Sequence, residues 1–375
     1  KFLAGLFDNP YTDPARHKTT LLKPEYRQAA RQFAQQTMVL LKNDQLLPIN
    51  GRFKRILFTG PFVHARGELL GTWNVDGRAE DVTPLSQAVR ETAPAGYELL
   101  FVENTDEALH LAQHVDLVVA LIGEHPSRSG ENRNVSDLSL PPGQTQLVQA
   151  LADLGVPLAV VVFAGRPLAI PHEARLADAL LYAWHPGSEG GYALADLLFG
   201  LAAPSGRLPI TMPRRTGQVP IYYAHKPSGR PVGSTMEFQT RYVDLPHTPL
   251  FPFGFGLGYT TFAYRDLAIS EPHMTGETQV SAAITNQGSL PGTETVQLYL
   301  RDLHASVTRP VKELKGFQRL ELQPGETRRI SFTISATDLV FTSYNDLPRV
   351  EPGEYQVWIG PNAAEGLQGS FVLDI

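Results

Sequence analysis

Cysteine is absent from all 375 residues, and this one absence excludes disulfide frameworks, thiol nucleophiles and Cys-ligated zinc or iron–sulfur centres. It leaves the compartment open. Also missing is any apolar run near the ~20 residues needed to cross a bilayer, so no membrane insertion is expected. Dense basic patches are lacking too, and with a net charge of −6 nucleic acid and anionic membrane surfaces are poor partners. The implied substrate is neutral or reached locally. No Walker loop and no His-Glu-x-x-His helix occurs, and Gly187-Ser188-Glu189-Gly190 lacks the Gly-x-Ser-x-Gly elbow. The alternating Gly254, Gly256 and Gly258 lie in a Pro/aromatic loop, not between a strand and a helix, so they are no dinucleotide fingerprint. No cofactor and no catalytic metal is expected. The chain opens on Lys1 without an initiator Met, and its first seven residues are too short for a signal peptide. Lys1 therefore reads as a cut, with any export signal lying upstream.

What is present has the composition of a globular protein, 42% hydrophobic and 19% charged, long enough for two or three domains. Residues 1–24 are rich in Pro, Asp and Thr and read as an irregular lead-in. From 25 to 42, Tyr26, Ala29, Ala30, Phe33, Thr37, Leu40 and Leu41 recur at three- and four-residue steps, which predicts an amphipathic helix ended by Asn43 and Pro48. Short Val/Ile/Leu runs then alternate with helical patterns. Strands are expected at 55–59, 97–102, 116–122, 158–163 and 179–184, with helices at 84–92, 106–114, 143–154 and 191–199. Runs this apolar belong to strands covered on both faces, and helices in the gaps imply parallel crossovers. The reading is an α/β sandwich with a parallel sheet over residues 52–215.

Residues 216–260 form a Pro/Gly/aromatic connection with little regular structure. Beyond it the period drops to two, in runs such as Val296-Gln297-Leu298-Tyr299-Leu300, punctuated by Pro291-Gly292, Pro324-Gly325 and Pro352-Gly353. About seven short strands with regular turns predict a fibronectin type III-like β-sandwich over 261–375.

Several motifs resemble those of a known family. They include Gly5-Leu6-Phe7-Asp8-Asn9-Pro10-Tyr11, Val39-Leu40-Leu41-Lys42-Asn43 with Leu47-Pro48, and Gly71-Thr72-Trp73. Ala164-Gly165-Arg166-Pro167, Trp184-His185-Pro186-Gly187-Ser188-Glu189-Gly190-Gly191 and Pro204-Ser205-Gly206-Arg207-Leu208-Pro209 follow. Pro252-Phe253-Gly254-Phe255-Gly256-Leu257-Gly258-Tyr259-Thr260 and Pro310-Val311-Lys312-Glu313-Leu314-Lys315-Gly316-Phe317 close the series. In this order they resemble the carboxyl-terminal portion of glycoside hydrolase family 3, and most closely its bacterial periplasmic β-glucosidases. The resemblance implies an amino-terminal (β/α)₈ barrel, an α/β sandwich and a fibronectin III-like domain, with residues 1–51 as the barrel's end and a linker helix. It also implies a retaining, exo-acting hydrolase of β-linked gluco-oligosaccharides or aryl β-glucosides, periplasmic or secreted. The family's nucleophile is an Asp on the barrel, in a Ser-Asp-Trp type segment that this sequence does not contain.

The loop at 123–133, Gly-Glu-His-Pro-Ser-Arg-Ser-Gly-Glu-Asn-Arg, leaves the end of the most apolar strand, where open α/β sheets bind ligands. Retaining hydrolysis needs two carboxyl groups about 5 Å apart, one a nucleophile and one a general acid/base. The resemblance assigns the acid/base to Glu131. Glu124, at the strand end, is its competitor: either a second carboxylate close to the substrate, with Arg128 and Arg133, or a structural one that accepts backbone N–H bonds or pairs with Arg128. Arg128 and Arg133 favour an ionised carboxylate nearby, whereas burial beneath a bound sugar favours the neutral acid. Trp73 either stacks on a sugar ring or packs beneath a helix. His185 either reaches the same cleft or is a hydrogen-bonded structural residue. The fibronectin-like domain is expected to be structural and not to bind sugar. Two alternatives stay open: a β-xylosidase of the same family, or an accessory module without catalysis.

Overall fold

A computed structural model describes residues 1–230, 232 and 238–374. After a short helix α1 (His17–Thr20), helix α2 (Pro24–Thr37) carries Pro in its first turn, where the missing N–H costs nothing. The helix expected to run to residue 42 stops at Thr37, and β1 (Val39–Asn43) follows at once. Val39, Leu40 and Leu41 are all buried, a continuous run that a helical stripe and a strand covered on both faces share.

The following elements alternate as β2 (Arg55–Thr59), α3 (Leu85–Thr92), β3 (Glu98–Val102), α4 (Thr105–Ala112) and β4 (Leu117–Gly123). Then come α5 (Gln144–Asp153), β5 (Leu158–Phe163), α6 (Pro171–Leu176), β6 (Ala179–Tyr182) and α7 (Gly190–Leu198). The six strands form one sheet in the order β1-β6-β5-β4-β2-β3. All pairs are parallel except β1 with β6, so the sheet takes an antiparallel edge strand from before residue 52.

Strand β4 shows why its sequence is apolar throughout. Leu117, Val119 and Leu121 pack into a core with Leu85 and Val89 of α3 and Leu194 of α7. Val118, Ala120 and Ile122 point to the opposite face, against Ala108 of α4 and Val148 of α5. The strand order reverses between β2 and β4, because the chain passes from β2 to β3 on one side and from β4 to β5 and β6 on the other. In open α/β sheets such a switch point, here at the carboxyl ends of β2 and β4, is where ligands bind. Gly123 ends β4 at φ 144°, and a Cβ there would lie 1.8 Å from the Phe163 carbonyl oxygen, so only glycine lets β4 and β5 stay this close.

Helix α2 is clamped to α7. Arg27 pairs with Glu189, Arg31 binds Asp196 through two nitrogens, and Gln35 donates to the same carboxylate. Past α7, the connection crosses the molecule through the bridges Met212–Phe251 and Leu40–Leu257. The β-sandwich follows, with seven strands of at least seven residues: β7 (Phe262–Ile269), β9 (Glu277–Asn286), β10 (Gly292–Asp302), β11 (Glu313–Leu322), β12 (Thr327–Ser335), β15 (Gly353–Gly360) and β16 (Leu367–Leu373). Short β8 (His273–Met274), β13 (Phe341–Thr342) and β14 (Pro348–Arg349) complete it. The two main sheets run β11-β10-β15-β16-β8 and β12-β9-β7, the fibronectin III-like arrangement expected from the alternating pattern.

A buried polar seam joins the sandwich to the α/β layer. Glu294 on β10 accepts from Arg207 at 3.1 Å and from the Tyr264 hydroxyl at 2.9 Å. Gln297 donates to the Gly254 carbonyl at 3.1 Å. The Glu294 and Arg207 side chains are only 5% and 10% exposed, so removing one strands the other's charge. Replacing Glu294 with Ala should cost about 3 kcal/mol, whereas Arg207→Met together with Glu294→Met should cost less than the sum of the single changes. Urea unfolding curves test this, and a Glu294→Ala loss below about 0.5 kcal/mol would show that the seam carries little stability.

Candidate active site

At the carboxyl end of β4 the chain leaves Gly123, whose N–H and carbonyl are both held by the Gln144 amide, at 2.6 and 2.9 Å. Glu124 comes next, its N–H bonded to the Phe163 carbonyl at 2.8 Å and its side chain 1% exposed. A carboxylate so buried must be paired. It accepts from Arg128 Nε at 2.9 Å and from Arg166 Nε at 3.0 Å, one guanidinium on each oxygen. Arg128 folds back onto it through a 3₁₀ turn, Pro126–Arg128, capped by the His125 ring. The pairing with Arg128 is the one read from the sequence.

Arg166 had no place in the sequence reading of the site, yet it organises it. It follows β5 and precedes Pro167, which favours an extended conformation at Arg166. The hydroxyl of Tyr182, fully buried on β6, donates to the Arg166 carbonyl and accepts from Leu168 N–H. Arg166 Nη2 in turn donates to the Arg133 carbonyl at 2.9 Å and to that of Arg128. The only signal of this role in the sequence is a charged side chain just beyond the carboxyl end of a fully buried strand.

Between those two carbonyls the loop makes a four-residue turn, with Arg133 N–H bonded to the Gly130 carbonyl at 3.2 Å. Asn132 takes φ 58° at the third position, a conformation Asn tolerates, and Gly130 sits at φ 111°. A Cβ on Gly130 would come within 2.7 Å of Thr72 Cγ2 and 3.6 Å of Trp73 Nε1. Glu131 occupies the second position. It is exposed, and among the described residues its side chain has no hydrogen bond or ion pair.

The loop after β2 reaches the same place across the switch point. Thr72 Oγ1 lies 2.7 Å from the Ser129 carbonyl and also reaches the Pro126 carbonyl, so its one O–H is shared between them. Trp73, 69% exposed, lies beside the Glu131 turn and does not pack beneath a helix. Trp184, after β6, stands at φ 57°, rare for a bulky residue, and leads directly into His185. His185 Nε2 lies 3.5 Å from Ser129 Oγ, with the ring half-buried against Gly71. Burial pushes its pKa down, opposed by the Glu124 charge and the Glu68 backbone. The structure thus gathers Glu124, Arg128, Glu131, Arg133, Trp73 and His185 at one end of the sheet, with Arg166, Thr72, Ser129 and Tyr182 added. Arg133 is exposed and joins through its backbone.

Residues 38–259 match the family model described as the glycosyl hydrolase family 3 C-terminal domain, and residues 294–363 match a fibronectin type III-like domain. The chain belongs to glycoside hydrolase family 3. It is 35% identical to the periplasmic β-glucosidase of Salmonella typhimurium, over 100% of this chain and 54% of that protein. It is also 35% identical to a β-xylosidase of Formosa agariphila, over 97% of this chain and 52% of that protein. The β-glucosidase of Listeria innocua solved with glucose superposes at a TM-score of 0.92 and 32% identity, covering 99% of this chain and 53% of that one. A mutant of the Listeria enzyme in complex with laminaribiose superposes at 0.91. The chain spans about half the length of the relatives it matches.

His185 carries a stability consequence. Its pKa lies below the ordinary 6.5 in the folded state, so between the two values the unfolded chain binds more protons and stability rises with pH. The contribution is complete above about pH 6.5 and is lost as the pH falls toward the folded value. Thermal melts from pH 8 to 5 should show His185→Gln losing less stability on acidification than the parent. Parallel curves would mean that His185 titrates alike in both states.

Proposed function

We propose that this chain supplies the acid/base half of a retaining, exo-acting β-glucosidase, with Glu131 as the general acid/base. The observation that supports it is the contrast between two carboxylates of one loop. Glu124 is sealed between two guanidinium groups, whereas Glu131 is exposed and, among the described residues, unpaired, at a turn tied down on both flanks. In the reaction, Glu131 protonates the departing glycosidic oxygen and then takes a proton from the water that releases the sugar. The nucleophile comes from a barrel outside residues 1–375, packed so that its carboxylate faces Glu131 across the sugar. Trp73, exposed beside the turn, offers an apolar face to a ring of the bound saccharide. Glu124 and Arg128 hold the loop and do not touch the sugar.

The names of the Salmonella and Listeria relatives favour terminal β-D-glucosyl residues of short β-linked oligosaccharides as substrates, and an aryl β-glucoside as a convenient probe. The Formosa relative, at the same identity, keeps β-xylosides as a second reading, decided by comparing kcat/KM on aryl β-glucoside and β-xyloside in the full-length enzyme. We place the enzyme in the periplasm or outside the cell, in line with the Salmonella relative's name. Residues 261–375 serve as a structural unit that braces the α/β layer.

In the full-length enzyme, Glu131→Ala should lower kcat/KM on cellobiose by about 10²–10⁴-fold and on aryl glucosides with acidic phenols far less, because such leaving groups need no proton, while kcat on the aryl glucosides falls with the second step. Azide should rescue the second step and yield β-glucosyl azide. Equal losses on both substrates with no azide product would move the role away from Glu131.

Residues 1–375 alone should not turn over an aryl β-glucoside, since double displacement lacks its nucleophile. Turnover at the rate of the intact enzyme, surviving controls for host glycosidase, would place a nucleophile within this chain. A fold that binds substrate without ever contributing to its cleavage in the full-length protein would instead support an accessory module.

A further inference from the structure

We infer that Thr72 and Arg166 are positioning residues that set the aim of Glu131 from opposite sides of its turn. The inference rests on the acid/base reading of Glu131 and goes beyond it, because neither residue touches the sugar in that reading.

The turn has no support of its own beyond one backbone bond, Arg133 N–H to the Gly130 carbonyl. Its second residue, Glu131, makes no side-chain bond among the described residues, so all that fixes its place is the backbone on either side, which sets where the Cα–Cβ bond points. That backbone is fixed from outside the loop. Upstream, the one O–H of Thr72 is shared between the Pro126 and Ser129 carbonyls, both within reach of Oγ1, and Ser129 lies two residues before Glu131. Downstream, Arg166 Nη2 donates to the Arg133 carbonyl, two residues after Glu131, and reaches back to that of Arg128. The two clamps come from different strands: Thr72 from the loop after β2, Arg166 from the loop after β5. Glu131 therefore sits between two fixed points, each referenced to the rigid sheet.

Each clamp is itself held. Arg166 is fixed by the buried carboxylate of Glu124 at its Nε and by the Tyr182 hydroxyl at its carbonyl, and its side chain is only 18% exposed. Thr72 follows Gly71, which packs against the His185 ring, and Leu69, two residues further back, is buried with its carbonyl bonded to the Gly187 N–H at 2.8 Å. A carboxyl group that must deliver a proton in line with a departing oxygen tolerates little displacement, and about 1 Å of misplacement costs on the order of 10²-fold. Thr72 and Arg166 remove that freedom.

The test uses the full-length enzyme, with Thr72→Val, Thr72→Ser, Arg166→Met and Arg166→Lys beside Glu131→Ala. Valine keeps the shape of threonine and deletes the donor, whereas serine keeps the donor. The expected result is a drop of about 10- to 100-fold in kcat/KM on cellobiose for Thr72→Val and Arg166→Met. Dinitrophenyl β-glucoside, whose phenolate leaves unaided, should keep a kcat/KM within about threefold of the parent in the same variants, because kcat/KM reports only the first step, while its kcat falls with the base-assisted second step. Thr72→Ser should retain most activity on both substrates, and Arg166→Lys should fall between the parent and Arg166→Met. A residue that merely stabilises the fold would lower both substrates by one factor, through the fraction of active protein.

Equal loss on both substrates by Thr72→Val and Arg166→Met, with Glu131→Ala still showing the leaving-group contrast, overturns the positioning inference alone. If Glu131→Ala shows no contrast either, the acid/base reading fails and the inference fails with it. Should Arg166→Met not fold, as circular dichroism would show, Thr72→Val against Thr72→Ser decides the matter.

Discussion

One buried charge governs this end of the molecule. Glu124 lies where β4 ends, almost without solvent, and an ionised carboxylate there is stable only with cations on both oxygens. Arg128 comes from the same loop and Arg166 from the strand next door, so satisfying one charge forces two segments to meet. Arg166 then has further N–H groups, and it spends them on backbone carbonyls of the loop. A desolvation requirement becomes a geometric one. The loop from 124 to 133 is ordered because the electrostatics of its first residue leave few alternatives.

Topology explains why a second segment arrives from the other side. Because the strand order reverses between β2 and β4, the loops that follow these strands start from adjacent positions before the chain departs to opposite sides. The β2 loop brings Thr72 and Trp73 onto the β4 loop, and His185 enters from β6. Membership of glycoside hydrolase family 3 is thus matched by a candidate site assembled from four strand ends rather than one contiguous motif.

Most of the sheet could be read from the chain because β2, β4 and β5 are covered on both faces and so carry unbroken apolar runs. The β-sandwich was legible for the opposite reason, as β9 and β12 each expose every second residue. β1 was not: Val39, Leu40 and Leu41 follow a genuine amphipathic helix without a turn residue between, and three buried apolar positions fit either period. In the site, Glu131 and Glu124 were legible as the two carboxylates of a strand-end loop. Arg166 and Thr72 were not, since their importance lies in reaching carbonyls, and any residue type supplies a carbonyl.

The three contacts between α2 and α7 bear on more than the helix itself. Arg27, Arg31 and Gln35 recur every fourth residue and grip Glu189 and Asp196 along most of the length of α2, while Arg319 of the sandwich reaches Gln36 near its end. A 14-residue helix is about 21 Å long, so a tilt of about 5° about one end swings the other by about 2 Å. Pinned at one point, such a helix would be a pointer free to wander. Pinned turn by turn, with the sandwich as a backstop, it is a spar: the chain that enters at Pro24 is delivered to the sheet on a fixed bearing, held by a few side chains spaced one helical turn apart.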